Sequence, residues 1–315
     1  MRVTILQSVV AFGGFEQHMI NLAIGLRRLG HEAEIMGLVN AGGFDQLLEY
    51  ADAGLEIHYA MGWPEDTVPA WDLLSDLDAD VVNLQMPVPQ LVLEMCRVPV
   101  VATTHSQFGF DSLPRCDAAV CLDQRWYGMS SSALGRMPYR LRNGIDLERF
   151  KYRRDLKKRD GVACWGRFDD AKLAPARAVC DGVTVDCWGD VEQLGHANLR
   201  VMGRARPEDV CYKYRVVVGA GLCALEAMAC GALLLTPDPT EEKLAEWADG
   251  SFAMEHVYPP GPESEKAIRH DLASLLTLSD KEAQERADFC REWVEAEHDC
   301  VGMAEGFVKV YEEVV

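Results

Sequence analysis

Two cations, Arg167 and Lys172, stand five residues apart, directly after an apolar run that ends at Gly166. The run predicts a strand, so the two side chains fall on the following loop and at the start of the next helix. A guanidinium can hold two phosphate oxygens at once, and an ammonium adds a point charge. Beside the positive end of a helix, this pair would suit a diphosphate. The alternative is that both are ordinary surface cations of a loop.

A pair of glycines, Gly13 and Gly14, lies between a predicted strand at residues 2–10 and a predicted helix at residues 16–29. Glycine lets the backbone approach a ligand closely, and the N–H groups at the start of a helix can bind a phosphate. The full dinucleotide fingerprint GxGxxG is absent at this turn. The pair therefore predicts either a phosphate contact or a turn with a purely structural purpose.

Glu226 is the only charged residue of a short apolar helix predicted at residues 222–229, after the run Gly219-Ala220-Gly221. A carboxylate on such a helix needs a hydrogen-bonding partner. The two hydroxyls of a ribose would supply one. The N-terminus of another helix or a structural arginine would do so equally well.

His105 follows a predicted strand at residues 98–104. In parallel sheets, residues that face a ligand collect at the carboxyl ends of the strands. The position favours a ligand contact, and a histidine that is simply hydrogen-bonded near the core fits the same pattern. The sequence shows neither a Ser–His–Asp spacing nor an HExxH metal signature, so we expect no metal site.

Short apolar runs alternate with amphipathic runs, the pattern of βα units around parallel sheets. The rhythm breaks between residues 141 and 160, where Asn143-Gly144 predicts a turn, and then restarts. We therefore expect an α/β protein with two doubly wound (Rossmann-like) domains that face a central cleft. Their bounds are residues 1–148 and 149–298, with a final helix at residues 299–315 packing back on the first domain. The predicted strands are residues 2–10, 31–38, 55–60, 81–84, 98–104, 118–122, 161–166, 183–189, 198–203, 215–218 and 232–236.

Charge and cysteine content narrow the function classes. A net charge of −19 over 315 residues argues against a nucleic-acid binder, whose affinity comes mainly from neutralising phosphates. Eleven cysteines without CxxC or Cys/His ligand spacing favour a reducing cytoplasm, with no disulfide framework and no zinc site. Met1 leads into a strand pattern without a signal segment, and no apolar run reaches the roughly 18 residues of a membrane span. We expect a cytoplasmic protein without a membrane span.

Taken in chain order, five stretches resemble the retaining GT-B glycosyltransferases of glycosyltransferase family 4. The stretches are Phe12-Gly13-Gly14-Phe15-Glu16, Thr104-His105-Ser106, Arg142-Asn143-Gly144-Ile145-Asp146-Leu147-Glu148-Arg149-Phe150, Gly166-Arg167-Phe168 with Lys172, and Leu225-Glu226-Ala227-Met228-Ala229-Cys230-Gly231. The resemblance implies a GT-B fold and transfer of a sugar from a nucleoside diphosphate sugar. It implies no metal and no cofactor beyond that co-substrate.

The resemblance also implies a role for each candidate residue. Arg167 and Lys172 would clamp the diphosphate and stabilise it as the leaving group, and Glu226 would hold the ribose hydroxyls. His105 would lie near the reacting sugar. The backbone of the first loop would approach the diphosphate or the transferred sugar. The remaining donor-site residues that the resemblance implies are Gly13, Gly14, Gly166, Gly221 and Leu222.

One position departs from the family pattern. The family commonly carries a second Glu eight residues before the ribose Glu, and this sequence has Val218 there. The leading hypothesis is an active glycosyltransferase, and the departure keeps open a sugar-nucleotide-binding protein without transfer activity. A nucleotide-sugar epimerase is the third hypothesis. The acceptor is unidentified, and the acidic segment at residues 44–59 disfavours a lipid acceptor.

Overall fold

The computed structural model divides the chain into two compact units. The first contains Met1–Asp146 and His298–Val315, and the second contains Leu147–Glu297. The structure describes residues 1–11, 13–41, 54–59, 77–85, 94, 96–105, 113, 115–122, 124–167, 180, 182–190, 197–219, 221–235 and 262–315.

The first unit is built on a seven-stranded parallel sheet in the order β3-β2-β1-β4-β5-β6-β7. Its strands are β1 (Arg2–Ala11), β2 (Glu32–Ala41), β3 (Glu56–Tyr59), β4 (Val81–Gln85), β5 (Val100–Thr104), β6 (Ala118–Cys121) and β7 (Tyr139–Arg140). Every residue of β4, β5 and β6 is buried, which is what continuous apolar runs predict for a sheet covered on both faces. The short β7 at the sheet edge was not predicted.

The second unit is built on a five-stranded parallel sheet in the order β10-β9-β8-β11-β12. Its strands are β8 (Val162–Arg167), β9 (Val185–Asp190), β10 (Leu199–Gly203), β11 (Val216–Val218) and β12 (Leu233–Leu235). The predicted α/β class with two parallel-sheet units is therefore confirmed.

Helices accompany both sheets. In chain order they are α1 (Gly14–Arg28), α2 (Gln124–Leu134), α3 (Pro207–Val210), α4 (Leu222–Ala229), α5 (Pro262–Thr277), α6 (Asp280–Glu297) and α7 (Cys300–Val314). Among the residues that the structure describes, no helix combines the length and the hydropathy that a membrane crossing needs.

Helix α1 buries an apolar stripe against the first sheet. Met19, Leu22, Ala23 and Leu26 are fully buried, and their spacing of three and four residues puts them on one helical face. The chain leaves the helix through Gly30, whose φ of +84° favours glycine. This packing holds α1 against the sheet, with its first turn close after the end of β1 in the chain.

Helix α7 packs on α1 and completes the core of the first unit, with Phe307 and Tyr311 fully buried. Two glycines permit the close approach of the backbones. A Cβ at Gly144 would lie 2.6 Å from the Cα of Cys300, and a Cβ at Gly25 would meet the carbonyl oxygen of the same residue. Larger residues at either glycine would push α7 away.

A second core fills the second unit, which also contains one disulfide. Cys211 and Cys230 are bonded, with their Cα atoms 6.4 Å apart. The sequence analysis, which expected no disulfide framework, did not predict this single pair: contacts of α4 with the 3-10 turn after α3 join cysteines that lie 19 residues apart in the sequence. Cys164 and Cys187 face each other on β8 and β9 as free thiols.

Candidate functional site

Glu226 is a buried carboxyl in the second unit, with only 3% of its surface exposed. Helix α4, which carries it, begins after Gly221, whose φ of +59° favours glycine. Trp165 on β8 donates its indole N–H to Oε2 of Glu226 at 2.9 Å. Burial raises the pKa of Glu226 to about 8; Trp165 and Arg149 lower it and Glu208 raises it. At neutral pH the carboxyl is therefore mostly protonated.

An ion pair adjoins this carboxyl. Arg149 contacts Oε1 of Glu208 through Nη2 at 2.9 Å and through Nε at 3.2 Å, and both side chains are largely buried. Both charges act on the pKa of Glu226, in opposite directions. The Trp165–Glu226 pair thus lies within electrostatic reach of the Arg149–Glu208 pair, so carboxyl acceptors and a cation occur in one part of the second unit.

The carboxyl ends of two neighbouring strands bring the candidate donor residues of this unit to one sheet edge. Strands β8 and β11 pair in parallel, with Cys164 opposite Val218. Strand β8 ends at Gly166 and Arg167, and β11 leads through Gly221 into α4. Arg167 is placed here by its backbone. Lys172 lies outside the described residues.

Val218, which stands where the family commonly has a Glu, is the last residue of β11 and is 4% exposed. It belongs to the apolar core of this unit, together with Val162, Cys164 and Leu235. Leu222, the first residue of α4, is partly buried. Among the described residues, Glu226 is therefore the acidic side chain that the β11–α4 segment supplies.

The first unit places the predicted glycines and His105 near one another. Gly13 precedes α1, and Gly14 is exposed as the first residue of the helix. The ring of Phe15, which follows them, stacks on the His105 ring with 4.4 Å between the centroids. His105 lies directly after β5, and β5 is separated from β1 in the sheet only by β4. The two predicted ligand contacts of this unit therefore share one sheet edge.

His105 is held by hydrogen bonding and ring packing. Its Nε2 lies 2.5 Å from Oε1 of Gln85, the last residue of β4. The ring of His18 on α1 packs edge-on against it, with centroids 4.8 Å apart. Burial and the neighbouring His18 lower the pKa of His105 well below its ordinary value, so the ring is neutral at neutral pH.

His18 is a second buried histidine that the sequence analysis did not select. Its Nδ1 lies 2.9 Å from Oδ1 of Asn143, and burial lowers its pKa to about 4. Asn21, on the same helix, donates to the carbonyl oxygen of Gly144 at 2.8 Å. The Asn143-Gly144 turn is thereby fastened to α1. The polar residues at α1 positions that face the core were the available sequence signal.

Comparisons with known proteins agree with this architecture. Residues 12–164 match the family model of glycosyltransferase family 4. That stretch, just under half of the chain, resembles glycosyltransferase family 4, and the chain is a glycosyltransferase with the GT-B fold. No match was found among curated proteins.

Solved structures share the fold of this glycosyltransferase over its whole length. HepE of Anabaena, in complex with UDP and glucose, has a TM-score of 0.72 at 16% identity, over 99% of each chain. TarM of S. aureus, in a complex that includes UDP, has a TM-score of 0.73 at 9% identity, over 99% of this chain and 100% of that chain. The pneumococcal O-GlcNAc transferase GtfA, in complex with UDP and GlcNAc, has a TM-score of 0.70 at 10% identity, over 100% and 99%. At these identities the likeness concerns the fold, and it confirms the predicted GT-B architecture.

Proposed function

We propose that this glycosyltransferase takes its sugar from a nucleoside diphosphate sugar, with UDP as the nucleotide, and transfers it with retention. The observation that carries the proposal is Glu226, a carboxyl buried in an apolar helix and oriented by Trp165. Burying a carboxyl in apolar surroundings costs folding stability unless its hydrogen bonds are made. A carboxyl kept there is therefore a candidate for binding a ligand. The UDP found with HepE, TarM and GtfA supports the choice of nucleotide.

In this proposal the second unit binds the nucleotide. The two ribose hydroxyls hydrogen-bond to Glu226, next to the Arg149–Glu208 pair. Arg167, at the carboxyl end of β8, and Lys172 clamp the diphosphate as it leaves with its negative charge. Electrostatic stabilisation of this kind contributes most of the rate enhancement in many enzymes. The reaction needs no metal in this scheme, because the two cations neutralise the leaving group.

The first unit contacts the sugar. The backbone at Gly13 and Gly14 approaches the diphosphate or the transferred sugar, and His105 hydrogen-bonds to a sugar hydroxyl. Holding the reacting atoms in place lowers the entropy cost of the transfer step. The acceptor is a protein, a glycan or a small molecule rather than a lipid, and the reaction takes place in the cytoplasm.

The proposal is tested by replacing the diphosphate clamp. We expect Arg167→Ala and Lys172→Ala each to abolish sugar transfer from UDP-sugars while the unfolding midpoint stays unchanged. Lys281→Ala is a matched control, because that lysine is 85% exposed on α6. Full activity in both clamp variants would overturn the proposal.

A sugar-nucleotide-binding protein without transfer activity is the second candidate function. The observation in its favour is Val218, whose place in the apolar core leaves no carboxylate at the position where the family commonly has one. This candidate predicts UDP-sugar binding without transfer to any acceptor and without donor hydrolysis. Turnover by the wild-type protein rejects it.

A further inference from the structure

A line of buried polar side chains runs along the end of β4 and β5 to His105. Asn83, Gln85 and Thr103 are all fully buried, in the middle of a parallel sheet. Buried amides are unfavourable unless their hydrogen bonds are made, so we expect such a network to hold its side chains in one fixed arrangement. It ends at His105, the one partly exposed member of the line.

The hydrogen bonds in this line have a direction. Gln85 donates its amide N–H to Oδ1 of Asn83, and the hydroxyl of Thr103 donates to the same oxygen at 3.2 Å. The other end of the Gln85 amide, its Oε1, therefore faces His105. With the Gln85 amide in this orientation its oxygen accepts, so Nε2 of His105 carries the hydrogen. In a neutral imidazole the remaining nitrogen, Nδ1, is then an acceptor.

The surroundings keep the ring neutral and in place. Phe15 stacks on one face and His18 contacts it edge-on. Strands β4 and β5 present amides and hydroxyls to it, and His18 on α1 is the titratable group that acts on its pKa among the described residues. His18 is itself neutral at neutral pH, so it offers no positive charge to a ligand there.

We propose that Gln85 is a positioning residue that sets the tautomer of His105, so that Nδ1 accepts a hydrogen bond from a hydroxyl of the donor sugar. The inference rests on the proposed function and adds a substrate class to it. A neutral sugar presents hydroxyl donors to Nδ1. A uronic acid has a carboxylate in place of the C6 hydroxyl, and where that group meets Nδ1 two acceptors face each other. The site therefore selects neutral hexoses or N-acetylhexosamines over uronic acids.

The tautomer is tested without any turnover. In ¹⁵N-histidine-labelled protein, the His105 signals are assigned by their loss in His105→Gln. We expect wild-type protein to show a protonated Nε2 and an unprotonated Nδ1, and Gln85→Leu to show a mixture of both tautomers. Thr104→Val is the matched control, because it removes a buried β5 hydroxyl whose hydrogen bonds go to Val120 on β6 and Ser130 on α2. A protonated Nδ1 in the wild type would overturn the inference.

The sugar preference is tested with kinetics on paired donors, UDP-glucose and UDP-glucuronate. We expect the wild type to prefer the neutral donor. Gln85→Glu places an acceptor carboxylate beside Nε2, so His105 becomes protonated and Nδ1 becomes a donor. That variant should shift the ratio of kcat/KM values toward the acidic donor by about tenfold. The ratio should also become dependent on pH, because His105 then titrates. An unchanged ratio in an active variant overturns the inference and leaves the proposed function intact. If the wild type turns over no donor, the result counts against the proposed function, and the tautomer experiment then decides the inference.

Discussion

The buried carboxyl of Glu226 has a measurable effect on the stability of the second unit. Its pKa is raised from 4.5 to about 8, first of all by burial. In the unfolded chain the carboxyl ionises once the pH rises above its ordinary pKa of 4.5, while in the folded chain it stays protonated until about pH 8. Folding stability is therefore full below about pH 4.5 and is lost as the pH rises toward 8.

The magnitude follows from the two pKa values. Each pH unit between them removes about 1.4 kcal/mol of unfolding free energy. At pH 7 the wild type is thus expected to be less stable by about 3 kcal/mol than it would be with a neutral group, and the loss levels off above pH 8. Glu226→Gln keeps the shape of the side chain and an acceptor for Trp165 without the ionisation.

The assay is urea unfolding of wild type and Glu226→Gln from pH 5 to pH 8.5, with amide hydrogen exchange in α4 as the local probe of the second unit. We expect the two stability curves to diverge steadily with pH, the variant being more stable by about 3 kcal/mol at pH 7. Glu292→Gln, an exposed change on α6, should follow the wild type at every pH. Parallel curves for Glu226→Gln and wild type would refute the reasoning.

Two further outcomes are expected from the contacts. Trp165→Phe removes the N–H that orients Glu226 and should weaken UDP binding by about tenfold in calorimetry without unfolding the unit, and unchanged affinity would count against the ribose site. Gly144→Ala puts a Cβ 2.6 Å from the Cα of Cys300 and should lower the unfolding midpoint by several degrees, equivalent to about 2 kcal/mol or more. Gly302 lies inside α7, the helix that carries Cys300, and a Cβ there would meet open space. Gly302→Ala should therefore leave the midpoint equal or slightly higher, and an equal loss in both variants would contradict the packing argument.

Much of the architecture could be predicted because it depends on local patterns. The buried parallel strands are continuous apolar runs, and glycine marks the end of a helix, as Gly30 does after α1. The two-residue β7 could not be predicted, because Tyr139–Arg140 carries no apolar run and owes its strand geometry to pairing with β6. The Cys211–Cys230 bond depends on tertiary contacts in the same way.

The site was predictable only in its outline. Motif spacing selected Glu226 and His105, since each stands at a recognisable place after a strand or on an apolar helix. Their partners Trp165 and Gln85 lie 61 and 20 residues away in the sequence, on strands whose adjacency the sheet order determines. No local pattern encodes which strands become neighbours, so the hydrogen bonds that set protonation were beyond sequence reasoning.

The most direct test of the central claim, a nucleotide-sugar site in the second unit, is thermal unfolding with a panel of nucleoside diphosphates and their sugar conjugates. A ligand at about 100 times its dissociation constant adds roughly 2.7 kcal/mol to the native state, which moves the midpoint by several degrees. We expect UDP and UDP-sugars to raise the midpoint of the wild type, and Arg167→Ala and Glu226→Ala to lose that shift. No shift with any nucleotide at millimolar concentration, or a shift that both variants retain, would contradict the account.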